Sequence, residues 1–214
     1  GNLLTTTFNE IENRALGTSV PGVPVNFYDL DAMTQGLQRG SLIVLAGRPA
    51  MGKTSLSLNI AKNVAQVHNL PVCHYSLELS KEQLSYRLLS MEVGIESGRL
   101  RTGRLQEDEW PILGVGIESL GKLPIFICDK GSITVKEMLE KSQEIKETWG
   151  NGELGLVIVD YVQLIDCPNK YSRDDELSKV VLDLKAMAKA LDVPVILMSQ
   201  LSRDIEYREN KRPM

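Results

Sequence analysis

The chain has 214 residues, 43% of them hydrophobic and 24% charged, so it can bury one substantial core and has the composition of an ordinary globular domain. Its 24 basic and 28 acidic residues leave a net charge of −4, which excludes a global positive field drawing it to nucleic acid or anionic lipid. No apolar run approaches membrane-spanning length and no signal-peptide-like start is present, so a membrane partner is not expected. Cys73, Cys128 and Cys167 form no C-x-x-C motif; Cys73 and Cys128 lie in apolar runs, as buried reduced thiols do. His68 and His74 are the only histidines, which excludes a His-rich metal site, and His74 reads as packing inside a strand.

In chain order, residues 5–17 read first as an isolated amphipathic helix. Phe8, Ile11 and Ala15 share a face, Thr7 and Glu10 have capping-box spacing, and Gly17 stops it. The Pro/Gly-rich GTSVPGVPV that follows reads as a connection, so the helix is expected to pack on something other than its own domain. From Ser41 onward, short apolar runs rich in Val and Ile predict five buried strands at 42–46, 72–77, 124–128, 154–160 and 193–199. Helical patterns separate them. One begins near Lys53, Ser80-x-x-Gln83 and Thr134-x-x-Glu137 have the spacing of capped helix starts, and residues 175–191 repeat apolar side chains at helical period. This alternation predicts an α/β fold, a parallel sheet with helices on both faces. Gly114-Val115-Gly116 lacks the third glycine of a dinucleotide fingerprint and reads as local flexibility.

Gly47-Arg48-Pro49-Ala50-Met51-Gly52-Lys53-Thr54 matches G-x-x-x-x-G-K-[ST] between a predicted strand and a predicted helix, the setting that motif requires. Glycines let backbone N–H groups turn toward phosphate oxygens, and the helix N-terminus adds partial positive charge. In this reading these eight residues and Ser55 bind ATP, Lys53 reaches the β- and γ-phosphates, and Thr54 ligates Mg²⁺. Asp160 ends the strand 154–160, where it either supports Mg²⁺ or caps the next element. Glu78 follows the strand 72–77 and is either a general base for water or a solvated loop acid. Gln200 and Arg203 follow the last strand, where parallel sheets line their ligand crevice; Gln200 is either a γ-phosphate sensor or a turn residue.

GRPAMGKT, SLELS, VIVDYVQL, VPVILMSQLSR and the final KRPM, in this order, resemble the C-terminal motor domain of DnaB-type replicative DNA helicases, as do FYDLDAMTQGLQRG and GRLRTGRL. The resemblance covers essentially the whole chain. It implies a RecA-like P-loop motor in a homohexameric ring that hydrolyses ATP to translocate on single-stranded DNA, 5′ to 3′, and unwind duplex. Residues 1–24 are then a linker helix and connection docking on the neighbouring subunit, and 25–214 the motor. It also implies catalytic roles for Glu78, Lys53 and Gln200, Mg²⁺ support by Thr54 and Asp160, and primase and a helicase loader as partners of the full-length protein. The setting is bacterial cytoplasm or an organelle of bacterial origin.

Two departures stand out. PVNF (24–27) occupies the place of a Pro-Thr-Gly-Phe-like sequence, and Met214 falls before the family's DNA-contacting segment and its trans-acting Lys/Arg residues. The chain therefore reads as a piece of the motor. The arginines of GRLRTGR read as a solvated face or subunit contact rather than a DNA site, and 202–212 as a mixed-charge surface loop. The competing readings are a nucleotide-binding and oligomerisation module without catalysis, or another RecA-like ATPase.

Overall fold

The computed structural model describes residues 2–16, 22–160 and 173–201. The readings at Gly17, Cys167, Arg203 and the 202–212 segment lie outside them. Among the described residues, five strands form one parallel sheet: β1 (Leu42–Gly47), β2 (Val72–Ser76), β3 (Ile125–Cys128), β4 (Leu156–Asp160) and β5 (Val195–Gln200), in spatial order β1-β5-β4-β2-β3. Each lies within or one residue beyond its predicted run. Leu154 and Val193, predicted as strand, precede β4 and β5 but are buried in the core all the same.

Period-two alternation divides the core. Val157 and Val159 of β4, with Val195 and Leu197 of β5, pack against α7 (Val135–Trp149) and α8 (Arg173–Leu191) through Met138, Leu184 and Leu191. Leu156, Ile158, Ile196 and Met198 face the other way, onto Ile60, Ala61 and Val64 of α3 (Lys53–His68). Residues on both faces are apolar because helices cover both faces. A smaller cluster of Leu58, Leu84 and Leu88 ties α3 to α4 (Lys81–Val93), with Leu120 of α6 (Glu109–Gly121) against it; the short α5 (Ser97–Thr102) lies between α4 and α6 in the chain.

Local signals set the helix starts. Ser80 and Gln83 exchange side-chain and backbone bonds at 3.3 and 3.0 Å, and Thr134 and Glu137 do so at 3.2 and 2.8 Å. Both are capping boxes. Three readings change. The first helix, α1, runs Asn2–Ala15, so Thr7 lies inside it rather than at its cap. Gly114 and Gly116 lie within α6, and Gly116 is buried: a Cβ there would fall 2.3 Å from Val93 Cγ1. The glycine permits close helix packing, not flexibility. Cys73 is buried as expected, while Cys128 on the edge strand is only half-buried.

The departure in PVNF has a backbone explanation. Asn26 has φ 62°, a left-handed conformation that Asn tolerates far better than most non-glycine residues. Asp31 in α2 (Tyr28–Thr34) accepts the N–H groups of Val25 and Asn26 at 2.9 and 2.8 Å, and Asn63 of α3 donates to Val25 O at 2.9 Å. Val23 and Val25 are thereby held in the core on the α3 side.

His74, in the middle of β2, is fully buried, and neither ring nitrogen has a hydrogen-bond partner. Burial lowers its pKa from 6.5 to about 4. A base whose folded pKa is depressed binds fewer protons in the folded state, so its contribution to stability falls as pH drops from about 6.5 toward 4. Between pH 7 and pH 5 the loss is about 2 kcal/mol. His74→Leu removes an unsatisfied polar group and leaves stability at pH 7 unchanged or higher. Denaturant unfolding at both pH values should show the variant losing less stability on acidification than the parent; equal losses would mean His74 is not the titrating group.

Candidate nucleotide site

The register of the sheet builds the site. β5 lies between β1 and β4, with Gly47 opposite Gln200, while Ser76 at the end of β2 lies opposite Asp160. The carboxyl ends of four strands therefore deliver the loop after β1, Gln200, Asp160 and the turn after β2 to one edge. Leu201 N donates to Gly47 O at 3.1 Å and Leu77 N to Asp160 O at 2.7 Å, extending the pairing past the strand ends.

Between β1 and α3 the loop turns through two left-handed residues, Ala50 at φ 60° and Gly52 at φ 83°. Gly52 has open space where a Cβ would stand, so its backbone alone requires glycine; at Gly47 a Cβ would press on Lys53 at 3.3 Å. Lys53 Nζ donates to Gly47 O and Arg48 O, both at 2.8 Å, placing the ammonium inside the loop. Thr54 Oγ1 donates to Asp160 Oδ2 at 3.2 Å, joining the loop to β4.

These groups surround a cavity of about 210 Å³, walled by Pro49, Ala50, Gly52, Lys53, Thr54, Glu78, Leu79, Arg87, Asp160 and Gln200. Of the residues read from sequence, Pro49, Ala50, Gly52, Lys53, Thr54, Glu78, Asp160 and Gln200 meet here. Gly47, Arg48, Met51 and Ser55 stand outside the wall. A larger hollow of about 450 Å³ lies between β3 and α7, beside Phe126 and Trp149, but the glycine loop after β1 does not line it. Arg87 was not anticipated. Its signal was the Ser80 cap, since two helical turns past that cap Leu84 and Leu88 turn inward and carry Arg87 to the cavity beside them.

Asp160 is 2% exposed. Burial raises its carboxyl above the usual range, and the nearby Glu78 carboxylate adds to this. The Thr54 bond, Lys53 and Arg87 oppose it. A buried carboxylate beside a second one calls for a cation. Thr54 and Asp160 offer hard oxygen donors at hydrogen-bonding separation, which fits Mg²⁺ completed by phosphate oxygens and water. Among the described residues no cluster of three or more His, Cys, Asp or Glu offers a protein-only metal site.

Residues 22–214 match the family model described as DnaB-like helicase C terminal domain. The chain belongs to that family. This DnaB-like domain is similar to the replicative DNA helicase DnaB of Nostoc sp., at 51% identity over 99% of this chain and 24% of that protein. It is also similar to the replicative DNA helicase DnaB of Geobacillus stearothermophilus, at 42% over 100% of this chain and 47% of that protein. Among solved structures, that of a DnaB-like replicative helicase described with its interactions with primase matches at a TM-score of 0.89 and 34% identity. It covers 99% of this chain and 50% of that chain. The DnaB-like domain thus spans between a quarter and a half of these relatives, and it shares the RecA-like ATPase fold. No described helix is long and apolar enough to cross a membrane.

Asp160→Asn tests the electrostatics directly. Because the Asp160 pKa is raised, the ionised form is the one that folding disfavours, and its cost is present above the folded pKa. Asn keeps an acceptor for Thr54 and removes that charge. Stability at pH 7 without nucleotide should be equal or higher, while the tightening of ATP binding by Mg²⁺ is lost. Calorimetric titration with and without Mg²⁺, beside denaturant unfolding, measures both; a variant that keeps the full Mg²⁺ effect would remove Asp160 from the metal site.

Proposed function

We propose that this domain is the ATP-hydrolysing motor of a replicative DNA helicase, a homohexamer that translocates on single-stranded DNA and unwinds duplex. The observation that carries this reading is the meeting of Lys53, Thr54, Glu78 and Asp160 around one cavity at the strand ends, in a chain of the DnaB-like family. Lys53 leaves the loop carbonyls for the β- and γ-phosphates, while backbone N–H groups of the loop hold the phosphate oxygens. Thr54 and Asp160 hold Mg²⁺, which when bound neutralises the phosphate charge. Glu78 orients a water toward the γ-phosphorus and accepts its proton as the water oxygen bonds to phosphorus and the bond to ADP breaks. Arg87 balances the paired carboxylates. Gln200, the last residue of β5, carries the γ-phosphate state onward.

Assembly has its own support. Leu4, Phe8 and Ile11 line one face of α1, and all are exposed; Phe8 is 64% exposed. Ile112 and Val115 of α6 are also exposed and border a groove of about 360 Å³ with Val93. In the proposed ring, α1 of one subunit lies in this groove of the next. Primase and a loader are partners of the full-length protein in this reading, which acts where bacterial-type chromosomes are copied.

Three variants of the full-length protein test these points. Lys53→Ala weakens ATP binding by about 1.5–3 kcal/mol, roughly ten- to a hundredfold in Kd; an unchanged fluorescent-nucleotide titration contradicts the loop assignment. Glu78→Gln still binds ATP but hydrolyses it about 10²–10⁴-fold more slowly, and parental turnover would make Glu78 a loop acid. Phe8→Glu leaves the melting of the motor core unchanged but shifts the ring toward smaller species by mass photometry. A ring unaffected by that charge would mean α1 is not an assembly element.

A further inference from the structure

The turn that carries Glu78 is fixed on both sides. Ser76 Oγ donates to Leu79 O at 2.7 Å and accepts from Leu79 N at 3.2 Å, while Leu77 N is held by Asp160 O. On the exit side the Ser80 side chain takes the N–H of Gln83, which leaves the N–H of Lys81, among the first unpaired donors of α4, to another acceptor. That acceptor is distant in sequence. Asp129, the residue following β3, reaches Lys81 N with Oδ2 at 2.9 Å. The same bond holds the Asp129 carboxyl below the usual range. The loop bearing Asp129 is itself secured, since Lys130 pairs with Glu137 at 2.7 Å and Glu137 accepts from Thr134 N.

Resting on the reading of Glu78 as general base, we propose that Asp129 is a positioning residue for ATP hydrolysis. It fixes the first residue of α4, and through it the carboxylate of Glu78, without itself reaching the nucleotide. It is absent from the cavity wall. The edge strand is thereby part of the catalytic framework: β3 ends in the residue that holds the turn leaving β2. Glu78 stands three residues before Lys81 and is exposed, so its aim depends on these anchors rather than on packing around its own side chain. Misplacement of a catalytic group by about 1 Å is enough to cost on the order of a hundredfold in rate.

The test is steady-state ATP turnover by the full-length, assembled protein with Mg²⁺ and single-stranded DNA. Asp129→Ala should lower kcat by about ten- to a hundredfold while KM for ATP stays within about twofold. Asp129→Asn keeps an acceptor oxygen for Lys81 N and should recover kcat to within about threefold of the parent. Where Asp129→Ala does not assemble, Asp129→Glu, which keeps the charge and displaces the acceptor by one methylene, should show the same loss. In a Glu78→Gln background Asp129→Ala should have no further effect, because the group it positions is gone. A loss that multiplies in that background overturns the proposal, as does a change in KM alone, or an Asn variant as impaired as Ala. Parental turnover by Glu78→Gln alone overturns the base assignment and this proposal together, a result distinguishable from failure of Asp129 by itself.

Discussion

The geometry of the site depends on one constraint: β5 runs parallel between β1 and β4, with Gly47 opposite Gln200. Strands aligned in this way all end at the same edge. The glycine loop after β1, a carboxylate 106 residues later and a glutamine at the end of β5 are brought together by backbone pairing alone. The Thr54–Asp160 bond then locks the two outer members of that triplet to each other. Register matters because a slip of one residue would exchange the faces of every side chain, sending Asp160 away from Thr54.

Bringing these residues together has an electrostatic consequence. Burial takes the Asp160 carboxyl out of water and raises its pKa, the nearby Glu78 carboxylate adds to the rise, and the Thr54 hydroxyl, Lys53 and Arg87 relieve it in part. A cavity of that kind is complementary to a bound cation and phosphates rather than to bulk water. Buried His74, lying two residues before the end of β2, is a separate local conflict, a polar ring held neutral by its surroundings. Polar groups left without partners inside a core are sites where acid stability is decided.

Local chemistry made much of this legible in the sequence. The strands announced themselves as short Val/Ile-rich runs, the phosphate loop as glycines followed by Lys53 and Thr54, and two helix starts as the Ser80–Gln83 and Thr134–Glu137 pairs. Each depends on residues within a few positions of one another. What stayed hidden depends on packing between distant segments. Arg87 reaches the cavity because Leu84 and Leu88 settle on Leu58, which sets the rotation of α4. Asp129 meets Lys81 across 48 residues, and no spacing rule links them. Gly116 reads as flexible until Val93 is seen pressed against it. The start of α1 was misplaced because the Thr7–Glu10 spacing imitates a cap within an uninterrupted helix.

In the proposed motor, the carboxyl ends of four parallel strands form a single ATP site closed by Lys53. A structure of the protein with a non-hydrolysable ATP analogue and Mg²⁺ tests it most directly. Lys53 Nζ should be withdrawn from the carbonyls of Gly47 and Arg48 and placed on the β- and γ-phosphates. The ion should stand between Thr54 and Asp160, and the Glu78 carboxylate should face a water in line with the γ-phosphorus. A nucleotide bound elsewhere, such as the hollow between β3 and α7, or phosphates bound with Lys53 still bonded to its own loop, would contradict it.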